Sequence, residues 1–98
     1  MDIENQSFQI TPVTEWFSSH RTGGLEGLCM DDIVDIIGFT PNVEDDPDKV
    51  QYSWRCRVNG KPFAIWDYKG SHHARRWSIY DPEHVVTDIF PLDNISKF

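Results

Sequence analysis

The sequence predicts an α+β domain in which a three-stranded antiparallel meander is covered by about three short helices, in the order α-α-β-β-β-α. Three observations carry that reading. Val50 to Val58 alternates apolar and polar residues with the period of two expected of a strand that has one buried and one wet face. Asn59-Gly60 follows; such a pair between alternating runs is the strongest short hairpin signal, because a type I′ turn needs positive φ at both central positions. Residues 81–90 then open with Asp-Pro-Glu and continue as an apolar stripe, the start signature of a helix.

Taken in order, residues 1–10 show no period and form a loose lead-in. Thr11-Pro12 reads as an N-cap with proline at the first helical position, and Val13, Trp16, Phe17 and His20 recur at helical spacing until Gly23-Gly24. A second helix is signalled by LCMDDIVDIIG. Met30, Ile33, Ile36 and Ile37 fall on one face, Asp31 and Asp32 complement the helix dipole in the first turn, and Gly38 is a ready C-cap. FTPNVEDDPD is a proline-bearing acidic loop leading into the sheet.

The two-residue turn sets the hairpin register. Val58 faces Lys61, Cys56 faces Phe63, Trp54 faces Ile65 and Tyr52 faces Asp67, which places Trp54, Cys56, Phe63 and Ile65 in the core. On the opposite face Arg57 pairs with Pro62, Arg55 with Ala64, Ser53 with Trp66 and Gln51 with Tyr68. A loop containing His72-His73 leads to a third strand, Arg75 to Tyr80, with Trp77 and Ile79 inward and Arg76, Ser78 and Tyr80 outward. The last helix has Asp81 as N-cap, Pro82 first, and Val85, Val86, Ile89 and Phe90 as its stripe, stopped by Pro91. Residues 92–98 are a loose tail, or a segment docking Leu92, Ile95 and Phe98.

Ninety-eight residues make a single domain, 1–98, with room for one core. No apolar run approaches the roughly 20 residues needed to span a bilayer, and MDIENQSF is unlike a signal peptide, so a cytoplasmic protein is expected. Cys29 and Cys56 stand apart without C-x-x-C spacing, and reduced, buried thiols are expected. The net charge of −7 is unevenly spread. Residues 1–48 hold eleven acids and one base, Arg21, a net −10, whereas residues 49–98 hold eight bases and five acids, a net +3. That asymmetry argues against nucleic-acid binding by the whole molecule and for a partner with a basic surface; an acidic surface kept for solubility is the alternative.

Three constellations are candidates for function. The acids Glu44, Asp45, Asp46 and Asp48, extended by Asp31, Asp32 and Asp35, can present negative charge to a groove that normally holds DNA. The run lacks the alternate oxygens and turn glycine of a calcium loop, so no metal is expected, and a solvated loop is the other reading. The outer sheet face, with Arg55, Arg57, Trp66, Tyr68 and Arg76, combines guanidinium and aromatic groups that suit base stacking and phosphate contact, or equally a protein interface. If another segment covers it, those residues are structural. His72-His73 point to opposite sides of an extended chain and are poor joint ligands. No nucleophile with a positioned base is identifiable, so an enzyme is not expected.

The stretch VEDDPDKVQYSWRCRVNGKPFAIWDYKGS, residues 43–71, resembles small uncharacterised proteins of tailed bacteriophages, which share an acidic D-D-P-x-K-V lead-in, an S-W strand, a hairpin and an I-W-D-Y-K-G-S strand. The likeness extends loosely to I-I-G-F-x-P-N at residues 36–42, and Arg75-Arg76-Trp77 is more basic than the resemblance implies. In shape and charge the chain is also similar to acidic anti-CRISPR and other anti-defence inhibitors. The resemblances imply a phage-encoded acidic inhibitor, in one version a DNA mimic, that binds a host nucleic-acid-processing or defence complex in the bacterial cytoplasm without a cofactor. The alternative is a nucleic-acid-binding accessory protein that uses the outer sheet face.

Overall fold

In a computed structural model, which describes residues 9–15, 17, 21–43, 50–68 and 74–96, the protein is a six-stranded antiparallel sheet with two helices. The elements are β1 (Ile10–Pro12), β2 (Gly23–Glu26), α1 (Met30–Ile37), β3 (Val50–Val58), β4 (Lys61–Tyr68), β5 (Arg76–Tyr80), α2 (Val86–Ile89), a 3-10 turn (Leu92–Asn94) and β6 (Ile95–Ser96). Across the sheet they run β1-β3-β4-β5-β2-β6. This corrects the expected three-stranded meander with about three helices. The β3-β4-β5 meander is present, but only as the middle of a sheet twice as wide.

Among the described residues the first expected helix is absent. Thr11-Pro12, read as its cap, lies in β1, where Thr11 opposes Arg57 and Pro12 opposes Cys56. A proline is tolerated on an edge strand because its missing N–H need not face a ladder partner. Val13, Thr14, Glu15 and Phe17 are not helical, while Trp16 and His20 lie outside the described residues. Gly23-Gly24, read as the helix end, instead begin β2. Two glycines have little strand propensity, but β2 is paired on both sides, to β5 through Gly23↔Ile79 and Leu25↔Trp77 and to β6 through Leu25↔Ile95.

The hairpin keeps its expected register from Val58↔Lys61 to Ser53↔Trp66 and then slips by one, so that Val50 rather than Gln51 opposes Tyr68. Asp67 accounts for the slip. Its carboxylate, fully buried, accepts the Tyr52 N–H at 2.6 Å and replaces a carbonyl in the ladder. At the turn, Asn59 and Gly60 have φ of 53° and 85°, the positive pair that a type I′ turn demands.

Both helices cover the inward face. Trp54, Cys56, Phe63, Ile65, Trp77 and Ile79 are buried there, as the alternation predicts, and pack with Ile33 and Ile37 of α1 and with Val85, Val86 and Phe90 beside and within α2. The Phe63 and Phe90 rings meet at 6.3 Å. Helix α1 is tied to the sheet at both ends. Trp77 Nε1 donates to the carbonyl of Leu28, just before the helix, at 2.8 Å, and Trp54 Nε1 donates to the carbonyl of Phe39, just after it, at 2.9 Å. The two indoles also meet edge to face, 5.4 Å apart. Gly38 closes α1 with φ of 94°, the left-handed conformation of a helix stop, and donates its N–H to Val34.

The last helix is shorter than expected. Asp81 does act as a cap, but its oxygens accept the N–H groups of Val85 and Val86 at 2.8 and 3.0 Å, two residues further on than an N-cap reaches. The reason is His84, whose φ of 58° breaks the helical path between them. In the tail Leu92 is 73% exposed, so it does not dock. Ile95 packs against the core within β6, and Phe98 lies outside the described residues.

The two indole bonds make a direct test. Trp77→Phe leaves the Leu28 carbonyl without its donor and removes part of the buried ring, a loss of about 2–3 kcal/mol. Scanning calorimetry should show the melting temperature fall by on the order of 10 °C or more for a domain of this size. A shift of only about 2 °C would mean that this bond does not anchor α1.

Candidate functional site

The described residues of the two surfaces expected to carry function lie on opposite sides of the sheet, the acids of α1 on the helix side and the arginines and aromatics on the face turned away from the helices. Strand alternation sends Ser53, Arg55 and Arg57 of β3, Pro62, Ala64 and Trp66 of β4, and Ser78 and Tyr80 of β5 to that outer face. Its middle is closed to solvent. Ser53, Ala64 and Ser78 are only 3–4% exposed, while Trp66, which opposes Ser53 and Ser78 across the two ladders, is half-buried.

The chain after β1 supplies part of the cover. Phe17 lies 6.2 Å from the Tyr80 ring, and the Arg57 guanidinium sits 5.4 Å from the Phe17 centroid. Arg57 donates through Nε and Nη2 to Glu15 Oε1, both at 2.8 Å, and through Nη1 to the Gly60 carbonyl at 3.0 Å. The hydrogen bond from Arg57, helped by its charge, holds the Glu15 carboxyl below its ordinary value, and the same bond raises the guanidinium's. Arg55 Nη1 reaches the carbonyls of Thr14 and Glu15 at 3.4 and 3.3 Å. Both arginines therefore fasten a segment of this chain to the sheet. Arg76 is exposed and stands across from Glu26 in register. Tyr68 pairs in β4, and its side chain lies outside the described residues.

On α1 the burial of Ile33 and Ile37 turns Asp31 and Asp35, four residues apart, to solvent. Asp32 is used locally. Its Oδ2 accepts the Cys29 backbone N–H at 3.0 Å and the Cys29 thiol at 3.2 Å, closing the helix N-terminus. These two bonds, the backbone one foremost, lower its carboxyl from the ordinary value. Glu44, Asp45, Asp46 and Asp48 lie outside the described residues, as do His72 and His73. Of the acidic set the structure thus places Asp31 and Asp35 together on one exposed side.

Two side chains have roles that sequence reasoning did not assign to them. Asn42 continues the β3 edge with its side chain: Oδ1 accepts the Arg55 N–H at 2.9 Å, while Nδ2 donates to the Arg55 and Val13 carbonyls at 3.0 and 2.9 Å. Its position after Pro41 signals a turn and nothing more. The second is Asp81, whose role extends beyond capping to a cleft built from several segments. Among the described residues no three His, Cys, Asp or Glu side chains converge as a metal site, and no helix is long and apolar enough to cross a membrane. No family model, curated protein or solved structure matches the chain.

Burial pushes the Cys56 thiol up to about 12, and its sulfur faces the Phe63 carbonyl, whereas Cys29 is partly accessible. Iodoacetamide at pH 8 should therefore label Cys29 and leave Cys56 untouched until denaturant is added; mass mapping that finds Cys56 modified in the native protein would contradict this packing. Asp32 makes stability depend on pH. Its lowered folded value means that the folded state binds this proton more weakly than the unfolded chain does. The contribution is therefore full above about pH 4 and is lost as pH falls through the folded value. Asp32→Asn should unfold at lower temperature than the parent at pH 7, with the gap closing on acidification. A gap that is constant from pH 7 to about pH 2 would rule out the carboxylate as its source.

Proposed function

We propose that the protein is an acidic binding protein that occupies a basic surface of a protein or protein–nucleic-acid complex, such as a nucleic-acid-processing or defence assembly uses to hold DNA or RNA. The observation that carries this reading is the division of charge between the two surfaces. Asp31 and Asp35 stand exposed on α1 with no base in its last turn, while Arg55 and Arg57 are spent on Thr14, Glu15 and Gly60. The net charge of −7 gives the whole molecule the sign that steers it toward such a surface. Binding of this kind needs neither cofactor nor turnover. On the tailed-phage resemblance, the partner belongs to an infected bacterial cell and is inhibited by being occupied, the acids standing where nucleic-acid phosphates would. The alternative reading, direct nucleic-acid binding by the outer sheet face, is disfavoured by the arginines' bonds within the chain.

Crosslinking in host lysate followed by mass spectrometry would isolate a partner for quantitative binding. Asp31→Lys combined with Asp35→Lys should then weaken that binding about tenfold or more, with a reduced salt dependence. In a low-salt gel shift the parent protein should leave short DNA and RNA duplexes free. An undiminished affinity in the double variant, or a retarded nucleic-acid band with the parent, would overturn the proposal.

A further inference from the structure

A cleft of about 280 Å3 opens where α2 meets the β2–β6 side of the sheet. Ile79, Val86 and Ile95 give it an apolar floor, and Thr22, Asp81 and His84 give it polar walls. That volume is near the lower end of the range for small-molecule sites, and an apolar surface with a few convergent polar groups is their usual composition.

The charge of the cleft is set by Asp81. It is 3% exposed, and the described lining residues include it as the one carboxylate and no lysine or arginine. Its two oxygens take one N–H each, from Val85 and Val86, which leaves each oxygen a further acceptor site. The same bonds consume the backbone donors that would otherwise hold an anion. Exposed Glu83 and Asp88 follow the same sign next to His84 and Thr87, against a single flanking base among the described residues, Arg21 beside Thr22.

His84 gives an independent sign of a site. It is exposed, its φ of 58° is one that a residue with a Cβ rarely adopts, and its ring makes no hydrogen bond among the described residues. Strained backbone of this kind collects at ligand-binding positions. Here it sets an imidazole at the wall of a cleft whose other polar groups are acceptors or hydroxyls.

We propose that this cleft binds a small organic cation, an amine on a compact apolar body, with the ammonium held by Asp81 and the body seated on Ile79, Val86 and Ile95. This site is separate from the acidic side of α1 and stands or falls independently of it.

Benzylamine, benzyl alcohol and benzoate have the same ring and differ in charge, so they serve as probes of the uniformly nitrogen-15-labelled protein by amide correlation spectra. Benzylamine should shift the amides of Thr22, His84, Thr87 and Ile95 along a saturable curve. Loss of the charge-assisted bond should make benzyl alcohol bind about tenfold more weakly or worse, and benzoate should leave these amides in place. Asp81→Asn should weaken benzylamine by a similar factor. Because that change also removes half of a cap, Thr87→Trp serves as a second variant. It places an indole at an exposed lining position, and it should abolish the benzylamine shifts while the spectrum stays dispersed. Benzoate binding as tightly as benzylamine, shifts confined to other residues, no saturable shift, or an unchanged titration in a folded Thr87→Trp protein would each overturn the assignment.

Discussion

Two indole N–H groups, one from β3 and one from β5, hold helix α1 at both of its ends, and the arrangement of the inward layer depends on them. An eight-residue helix has too few internal hydrogen bonds to offset its nucleation cost and does not persist alone in water. Trp77 takes up the Leu28 carbonyl ahead of it and Trp54 the Phe39 carbonyl behind it. Neither carbonyl lies within the helix, so neither would find an intrahelical donor. The two rings touch each other as well, so the anchors form one unit with the core beneath α1. With both ends fixed and Ile33 and Ile37 buried, the rotation of α1 about its axis is decided, and Asp31 and Asp35 have to face water.

The other side of the sheet shows a different economy of groups. Arginine and aromatic side chains together resemble a ready-made ligand surface, yet here Arg55, Arg57, Phe17 and Tyr80 bind one another and the backbone after β1. The edge of β3 is managed with similar thrift. β1 covers its last residues, Val13 continues for one more bond, and the Asn42 amide then imitates a peptide group before Val43 bridges to Ser53. A long strand whose edge groups are occupied in this way offers no open template for another chain over that length.

Among the described residues, the exposed acids of α1 and the cleft beside α2 take no part in these bonds. They sit on different elements and differ in kind. Asp31 and Asp35 are exposed to solvent, whereas Asp81 is buried and bonded to the Val85 and Val86 N–H groups. A macromolecular partner suits the first, and a ligand small enough to enter about 280 Å3 suits the second.

What could be read in the chain was whatever rests on neighbours in sequence. The β3-β4 register follows from a two-residue turn and unbroken alternation, and α1 follows from its stripe and from Gly38. β1, β2 and β6 are two to four residues long, too short to show a period, and contain Thr-Pro, Gly-Gly and Ile-Ser, which signal caps, stops or nothing. They are strands because distant residues offer them ladder partners: Arg57 and Cys56 for β1, Ser78 and Trp77 for β2, and Leu25 for β6. The Asp67 slip, the spending of the outer arginines on Glu15 and its neighbours, and a cleft assembled from Thr22, Ile79, Asp81 and Ile95 have the same origin. By itself the sequence determined the central meander, its inward residues and the acidic imbalance, since local hydrogen bonding and composition suffice for those. Only the tertiary structure decided the width of the sheet, which charges stay exposed and where the cleft beside α2 opens, because each requires groups far apart in the chain to satisfy one another's hydrogen bonds and exclude water together.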